Sequence, residues 1–289
     1  MERGFLSNIE LRTPGGRIYY VAATIALLLI AVVTLFPFFF AFTSGLKNST
    51  EIFAGGLNLF PQTPLWQNYE QAWRQFDMVR MFKNSLVIVS VGVVLRLVVS
   101  GAAAYSLSIL KPIGGRFLTV GFLLTLMVPS IAYFVPLYTT IADMPIIHVS
   151  LLNSYWALWL VYCVDAFSIF VFKTFFDTIP RDLIDSARVD GANPLQLLVN
   201  IIFPLSRSIT VVLAVLAFVA LWKDFLLPYL VITDPQAQPI TVRLFYLADD
   251  YSVNLQMAAS FISLLPPLLI AIVLQRYMKI GVTLGAVKG

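Results

Sequence analysis

The chain has 289 residues, of which 59% are apolar and only 12% are charged, and its formal net charge is +4. Soluble domains contain about a quarter charged residues, and a soluble globule could not bury this much apolar surface. The mean hydropathy of +0.86 therefore excludes a water-soluble enzyme, a disordered chain and a nucleic-acid-binding domain. It predicts an all-α integral membrane protein.

Side chains suited to catalysis or metal binding are scarce. The chain has one cysteine, Cys163, and one histidine, His148, so it can form neither an internal disulfide nor a multi-histidine metal site. We therefore expect no catalytic residue, no metal and no cofactor, and an intramembrane enzyme is a poor alternative. The sequence also has no G-x-x-x-x-G-K-[ST] motif, so it does not bind ATP through a P-loop.

Six apolar stretches are each long enough to cross the hydrocarbon core of a bilayer. They are residues 19–42, 84–110, 117–142, 152–172, 208–232 and 255–275. The first is too long for a signal-peptide core and no A-x-A site follows it, so we expect it to be retained. The remaining segments are a tail 1–18, a loop 43–83, a loop 176–207 within the five-helix core 84–275, and a tail 276–289.

The distribution of Lys and Arg predicts the orientation. Twelve of these residues fall in the two tails and the loops on their side, and five fall on the opposite side. The positive-inside rule then places both termini and the loop 176–207 in the cytoplasm, and the loops 43–83 and 233–254 outside. Basic residues beside spans account for the net charge, so no nucleic-acid partner is implied.

The loop 176–207 predicts two short helices that meet at a glycine. Pro180 suits a first helical turn, and Asp182 lies where the helix dipole favours an anion. Leu183, Ala187 and Gly191 fall at i, i+4 and i+8 on one face, and Gly191 can end the helix in a left-handed conformation.

Asn193 and Pro194 begin the second helix as a cap and a first-turn proline, and Pro204 interrupts it. On periodicity alone, an amphipathic helix that lies on the membrane surface without a partner fits equally well.

The spacing of this loop resembles that of a known family. Inner-membrane permeases of binding-protein-dependent ABC importers carry a cytoplasmic motif E-A-A-x3-G-x9-I-x-L-P. The corresponding residues here are Asp185-Ser186-Ala187, Gly191 and Ile201-Ile202-Phe203-Pro204. Asp replaces Glu, Ser replaces the first Ala and Phe replaces Leu, so that charge sign, small size and apolar character are kept.

From about residue 42 to the end, the chain resembles the MalG-like permeases of carbohydrate importers in particular, whereas residues 1–17 show no resemblance. The segments that carry it are Met127-Val128-Pro129, Pro136-Leu137-Tyr138, Leu152-Asn153-Ser154, Trp222-Lys223-Asp224-Phe225, Gln275-Arg276-Tyr277 and Gly285-Ala286-Val287-Lys288-Gly289. The fourth resembles a W-N-[DE]-F stretch, with Lys in place of Asn.

The resemblance implies a type I ABC importer permease fold with six transmembrane helices and a cytoplasmic coupling helix. It implies a non-catalytic permease subunit of an ATP-driven importer of sugars, of di- or oligosaccharide size, in the inner or plasma membrane. The implied partners are a second permease in a heterodimer, two copies of an ATP-binding subunit, an extracytoplasmic solute-binding protein, the sugar and the lipid bilayer.

The resemblance also assigns roles to particular residues. Coupling to the ATPase would fall to the motif positions, which are Asp185, Ser186, Ala187, Gly191, Ile201 and Pro204. In the outer loop 233–254, Phe245 and Tyr246 belong to an apolar patch that an isolated exposed loop would avoid, and the resemblance makes them candidates for contact with the binding protein. The alternative is a loop that packs on its own spans or on the second permease.

Four polar or amphipathic residues within the spans are candidates for the substrate pathway: Arg96, Trp222, Lys223 and Asp224. A charge at that depth is costly unless it faces protein or water, so a structural contact or snorkelling is the alternative. Trp156, Trp159 and Tyr162 could stack on a sugar or anchor a span at the interface. Prolines predict bends in the spans, at Pro129, Pro136, Pro228, Pro266 and Pro267.

Other transported solutes remain open, namely glycerol phosphate, amino acids and peptides, although the third-span and C-terminal resemblances argue against the last two. A self-sufficient secondary transporter would predict paired intramembrane carboxylates or repeat symmetry. The sequence shows neither.

Overall fold

The computed structural model describes residues 13–54 and 58–286, and for residues 274–286 only the backbone is described. Arg3 and Arg12 of the predicted N-terminal tail, and Val287, Lys288 and Gly289 of the predicted C-terminal tail, lie outside the described residues. Throughout the described ranges the secondary structure is helical, with no β-strand. The prediction of an all-α protein is confirmed.

Helices follow one another along the chain with short connections. They are α1 (Pro14–Gly45), α2 (Ser49–Phe53), α3 (Gln67–Gln75), α4 (Met78–Tyr105), α5 (Gly115–Thr125), α6 (Phe134–Ala142), α7 (Tyr155–Tyr162), α8 (Ala166–Phe176), α9 (Arg181–Val189), α10 (Pro194–Leu197), α11 (Phe203–Leu205), α12 (Arg207–Trp222), α13 (Leu226–Val231), α14 (Ile240–Tyr246) and α15 (Val253–Ala286). Two π-helical turns, at Ser106–Leu110 and Leu198–Ile202, and a 3₁₀ turn at Ser130–Tyr133 join some of them.

The described residues contain four helices long and apolar enough to cross a membrane, and six spans if each of two bent helix pairs counts as one. The four are Pro14–Gly45, Met78–Leu110, Tyr155–Phe176 and Val253–Val273. The four helices and the first bent pair overlap the predicted spans 19–42, 84–110, 117–142, 152–172 and 255–275. The second bent pair, Pro194–Leu205 with Arg207–Trp222, begins before the predicted span 208–232 and ends before it does. The last helix differs at its end, because α15 continues to Ala286 through most of the segment 276–289 that we assigned to a tail.

The third, fourth and fifth predicted spans are not the continuous helices that their apolar runs predict. The third bends by 100° between Thr125 and Ser130, where Pro129 is extended with φ −60° and ψ 131°, because proline lacks a donor and disfavours helix in the residue before it. The fourth predicted span is interrupted between Tyr162 and Ala166, and the fifth between Trp222 and Leu226. A further bend of 82°, at Ser206, precedes the fifth span.

The chain divides into two compact units, 1–75 with 248–262 and 76–247 with 263–289. In the first unit, Tyr69 donates a hydrogen bond to the carbonyl of Phe42 at 2.8 Å. The rings of Phe42 and Phe261 lie 5.1 Å apart. These contacts fasten the start of α15 and the helix α3 to the end of α1.

In the second unit, α4 is the central helix and packs against α7, α8 and α12. A Cβ atom on Gly92 would lie 2.9 Å from Leu221 Cδ1 and 3.3 Å from Tyr162 Cδ2. The absence of a side chain at Gly92 therefore lets α7 and α12 approach α4 closely.

Candidate functional site

The predicted meeting point of two short helices at Gly191 is present between α9 and α10, and we call it the corner. Its backbone geometry is that of a Schellman motif. Gly191 follows α9 with φ +84°. Its N–H donates to the carbonyl of Arg188 at 3.0 Å, and the N–H of Ala192 donates to the carbonyl of Ala187 at 2.9 Å. The helix α10 then starts with a capping box, in which Asn193 and Gln196 exchange side-chain to backbone hydrogen bonds of 2.9 Å each.

The predicted coupling residues of α9 do not all point the same way. Asp185 and Ser186 are exposed, as is Gly191, and the Asp185 carboxylate lies 3.3 Å from Arg188 Nη1. Ala187 instead is only 8% exposed. The predicted stripe is therefore split: Gly191 is available to a partner, whereas Ala187 seats the helix on its own chain.

A hydrophobic cluster lies directly beneath this corner and joins it to the spans. Its buried members are Ala104, Tyr105, Phe172, Phe176, Ile179, Ile184, Leu197, Leu198, Ile202 and Leu213. They come from α4, α8, α9, α10 and α12, with the neighbouring turns. The cluster therefore packs α9 against the three span helices α4, α8 and α12.

Phe203, which stands where the resembled motif has Leu, has a specific partner in this packing. A Cβ atom on Gly101 of α4 would lie 2.6 Å from Phe203 Cζ. The Phe203 ring also meets Phe172 edge-on, with centroids 6.3 Å apart. Gly101 thus provides the room that the larger ring needs. Of the other motif residues, Ile201 is half-buried and Pro204 is exposed.

An acidic residue links the ends of α4 and α8 near the corner. Asp177 accepts hydrogen bonds from the Ser108 hydroxyl at 2.6 Å and from Lys173 Nζ at 2.7 Å. Burial raises the pKa of the Asp177 carboxyl, but these two hydrogen bonds and the nearby charge of Lys111 outweigh it, so that the pKa lies below its ordinary value. Asp177 is therefore a charged link at neutral pH.

Arg96, the charge in the middle of α4, is bonded to a helix end. Its Nε donates to the carbonyl of Tyr162 at 2.9 Å. Tyr162 is the last residue of α7, and α8 begins only at Ala166, so this carbonyl belongs to a helix C-terminus, where a cation is favoured. This contact favours a structural role for Arg96, the alternative to a role in the substrate pathway.

Asp224 lies in the fifth span at the break between α12 and α13. Its carboxylate accepts a hydrogen bond from the Tyr162 hydroxyl at 2.6 Å, and the backbone N–H groups of residues 225–227 lie near it. Its own carbonyl accepts from Thr241 Oγ1 at 2.9 Å. Asp224 thus lies at the start of α13, and Tyr162 joins it to Arg96 through the hydroxyl on one side and the backbone carbonyl on the other.

The two remaining pathway candidates differ from each other. Trp222 is 5% exposed, its Nε1 donates to the carbonyl of Ser263 at 3.1 Å, and its ring stacks on Phe218 with centroids 5.5 Å apart. It is a packing residue in this conformation. Lys223, by contrast, is exposed.

An acidic cap between α7 and α8 was not anticipated from the sequence. Asp165 lies between α7 and α8, and its Oδ2 accepts from the N–H and the hydroxyl of Ser168 at 2.8 Å and 2.5 Å. The signal was available, since an acidic residue inside an apolar run with Ser three positions later is typical of a helix N-terminus. The fourth span is therefore two helices joined at a capped break, and the fifth is also two helices, α12 and α13.

The segment that follows α13 is held in place by side chains of α4 and of the loop before α7. Asn153, at φ +59°, accepts from the N–H groups of Thr233 and Asp234 at 2.7 Å and 2.9 Å. Ser85 of α4 accepts from the N–H of Ile240 at 2.8 Å. The resembled Leu152-Asn153-Ser154 stretch pointed to Asn153 but not to this role.

This anchoring decides which side of α14 is exposed. Ile240 and Val242 are fully buried, whereas Phe245 and Tyr246 are 55% and 43% exposed. Phe245 lies 5.1 Å from the ring of Phe225. The predicted apolar patch is therefore a surface aromatic cluster on α14, and the buried residues Ile240 and Val242 hold this helix against the chain.

The structure as a whole is similar to that of a known transporter chain. A crystal structure of a bacterial ABC transporter involved in the import of the acidic polysaccharide alginate contains a chain that matches with a TM-score of 0.80 and 20% identity, over 92% of this chain and 98% of that one. This likeness shows the fold. The protein is a multi-pass helical membrane protein with the fold of an ABC importer permease, as predicted.

Residues 97–283 match the family model described as the binding-protein-dependent transport system inner membrane component. The chain belongs to this family, so the predicted membership is confirmed, and the chain is a membrane-spanning permease subunit of such a transport system.

Curated relatives extend the match over nearly the whole chain. The arabinooligosaccharide permease AraQ of Bacillus subtilis (strain 168) is 29% identical over 96% of this chain and 99% of its own. The melibiose/raffinose/stachyose permease MelC of the same organism is 26% identical over the same shares, 96% and 99%. The sn-glycerol-3-phosphate permease UgpE of Escherichia coli O1:K1 / APEC is 31% identical over 88% of this chain and 92% of its own.

Proposed function

We propose that this chain is the transmembrane permease subunit of an ATP-driven importer of di- or oligosaccharides and forms the translocation pathway with a second, different permease. The observation that carries this proposal is the match of two oligosaccharide permeases over 96% of the chain. The chain itself is not an enzyme in this proposal, because it lacks a P-loop sequence, and ATP is hydrolysed by two copies of an ATP-binding subunit.

The corner between α9 and α10 is the proposed docking element for one ATP-binding subunit. Asp185, Ser186 and Gly191 present the contact surface, and Ile201 and Pro204 belong to the same motif farther along. Ala187 acts from beneath, because it is buried against the chain. Closure of the ATPase dimer would displace this corner, and the cluster below it would carry the displacement to α4, α8 and α12.

The breaks at Asp165 and Asp224 give the spans places to bend. At Asp165 a side chain caps the following helix, and at both positions the continuous helix is already interrupted, so a change of angle there need not break intrahelical hydrogen bonds. We infer that Arg96, Asp224 and Trp222 position the helices around the pathway, and that Lys223 is the pathway candidate open to a solute.

The proposed orientation follows the positive-inside rule. It places both termini and the α9–α10 corner in the cytoplasm, and the loop 43–83 and the segment that carries α14 outside, in the inner or plasma membrane. The solute-binding protein then docks on the α14 side, where Phe245 and Tyr246 are exposed.

Glycerol phosphate is the second candidate substrate, because UgpE is 31% identical to this chain. One reconstitution distinguishes the two. The chain is purified with its cognate permease, ATPase and binding protein, and ATP hydrolysis and uptake in liposomes are measured with a panel of oligosaccharides and with sn-glycerol 3-phosphate. We expect an oligosaccharide to stimulate both.

Stimulation by sn-glycerol 3-phosphate alone would replace the sugar assignment, and failure of the chain to co-purify with an ATPase would contradict the coupling proposal. The same subunits test orientation, since the ATPase should bind to inside-out membrane vesicles and not to right-side-out ones.

The exposed aromatic pair on α14 yields a separate prediction. In Phe245→Ala/Tyr246→Ala, stimulation of ATP hydrolysis by loaded binding protein should fall about tenfold at sub-saturating concentration, as for aromatic residues at the centre of an interface. Basal hydrolysis should be unchanged, because Ile240 and Val242 still hold the helix.

Phe53→Ala is the matched control, since Phe53 is 72% exposed and lies in the other predicted outer loop. If the α14 variant is stimulated as well as the control, the pair serves packing and not the binding protein.

A further inference from the structure

A cavity of about 550 Å³ opens beside the α9 corner and has an unusual charge balance. It is formed by the π-turn after α4, the start of α5, the end of α8 and the helix α9. Its charged lining residues are Lys111, Arg116, Lys173, Arg181 and Arg188, which are basic, and Asp177 and Asp185, which are acidic.

Both acidic residues already have partners on their own helical turns. Asp177 lies 2.7 Å from Lys173 Nζ, and Asp185 lies 3.3 Å from Arg188 Nη1. Lys111 also lies near Asp177, but with five basic and two acidic residues the lining keeps an excess of three positive charges.

Three cations remain, and the described part of the chain gives them no ion pair. Lys111, Arg116 and Arg181 all line the cavity and are exposed. Each salt bridge among the described residues involves other groups. Three like charges around one concave site repel one another and favour an anionic ligand.

One wall of the cavity continues as an apolar surface along a span helix. Arg116 and Val120 of α5 line the cavity, and Leu124 follows them at the same four-residue spacing on one face. Val120 and Leu124 are 47% and 57% exposed, and no residue of α5 is buried. A cationic rim beside an exposed apolar stripe matches a ligand with an anionic head and a hydrocarbon tail.

We propose that this cavity is a binding site for an anionic phospholipid. Lys111, Arg116 and Arg181 hold the phosphate of the headgroup, and an acyl chain lies along Val120 and Leu124. Because Arg181 begins α9 and Arg116 lies in the first turn of α5, the bound headgroup bridges the coupling corner to the third span. The site requires only that this end of the bundle lies at headgroup level, so it stands independently of the transported solute.

Binding of phosphatidylglycerol and phosphatidylcholine to the purified full chain, measured by native mass spectrometry across a lipid titration, tests this proposal. The wild type should prefer phosphatidylglycerol. In Lys111→Gln/Arg116→Gln this affinity should fall about tenfold or more, the size expected when two cations near an anionic headgroup are lost.

The single variants Arg116→Gln and Arg207→Gln form a matched pair, since each neutralises an exposed arginine in the first turn of a helix and only Arg116 lines the cavity. Arg116→Gln should weaken binding and Arg207→Gln should not. If the double variant is not monodisperse, this pair alone decides the result.

Two results would overturn the proposal. One is equal loss in Arg116→Gln and Arg207→Gln, which would indicate general attraction to basic surface. The other is unchanged phosphatidylglycerol binding in all variants. If those variants also lose binding of the ATPase, the cavity is part of the partner interface. A further arm with sn-glycerol 3-phosphate distinguishes a lipid from a free phosphate, because only the lipid should show high affinity.

Discussion

Gly191→Val should uncouple the transporter while leaving it folded and assembled in the membrane. At φ +84°, a residue with a Cβ atom costs about 1–2 kcal/mol, which a stable protein tolerates. A Cβ atom at Gly191 meets nothing within 4 Å in this chain, so any larger effect must come from a partner at the corner. We expect binding-protein-stimulated ATP hydrolysis and uptake to fall about tenfold, which corresponds to about 1.4 kcal/mol.

The chain offers a control with the same backbone conformation. Gly114 has φ +80°, and a Cβ atom there also meets nothing within 4 Å. Gly114→Val therefore carries the same strain at another loop and should keep most of the stimulation. Gly191→Asn adds a side chain with less strain, because Asn tolerates the left-handed region, and it should remain impaired. Equal losses at Gly114 and Gly191, or full coupling in Gly191→Asn, would show that strain and not docking is responsible.

Asp224→Ala should destabilise the fold measurably, because it removes a polar partner inside a span. It leaves the Tyr162 hydroxyl without its acceptor and removes the negative charge near the N–H groups at the start of α13. A buried polar group left unsatisfied costs about 1–3 kcal/mol, and loss of an anion at a helix N-terminus adds about 0.3–1 kcal/mol. We expect the melting temperature of the purified protein to fall by about 5 °C or more.

Asp224→Asn separates this structural role from a role of the charge in transport. Asn keeps an acceptor oxygen for the Tyr162 hydroxyl, so this variant should lose less than half as much in melting temperature and should retain uptake. Tyr162→Phe removes one hydrogen bond only and should cost about 1 kcal/mol. A stable Asp224→Asn protein that has lost uptake would instead place the Asp224 charge in the substrate pathway.

The amino-acid sequence by itself determined the features that depend on neighbouring residues. The apolar runs defined six spans, because crossing a bilayer requires about 20 apolar residues in a row. The geometry of the corner was equally local: Gly191 adopts the predicted left-handed conformation, and Asn193 caps the next helix. The motif spacing indicated the family for the same reason, since its residues lie within one short loop.

Only the tertiary structure decided how those elements use their side chains. The helical stripe placed Ala187 beside Gly191, but the packing of α9 buries one and exposes the other. Apolar content cannot show where a span breaks. In the sequence Asp224 is an isolated charge within a span, and only the fold shows that the hydroxyl of Tyr162, 62 residues earlier, donates a hydrogen bond to it. Arg96 finds its acceptor 66 residues away. In a membrane, polar groups must be satisfied within the protein, and these partners come from helices that only the fold brings together.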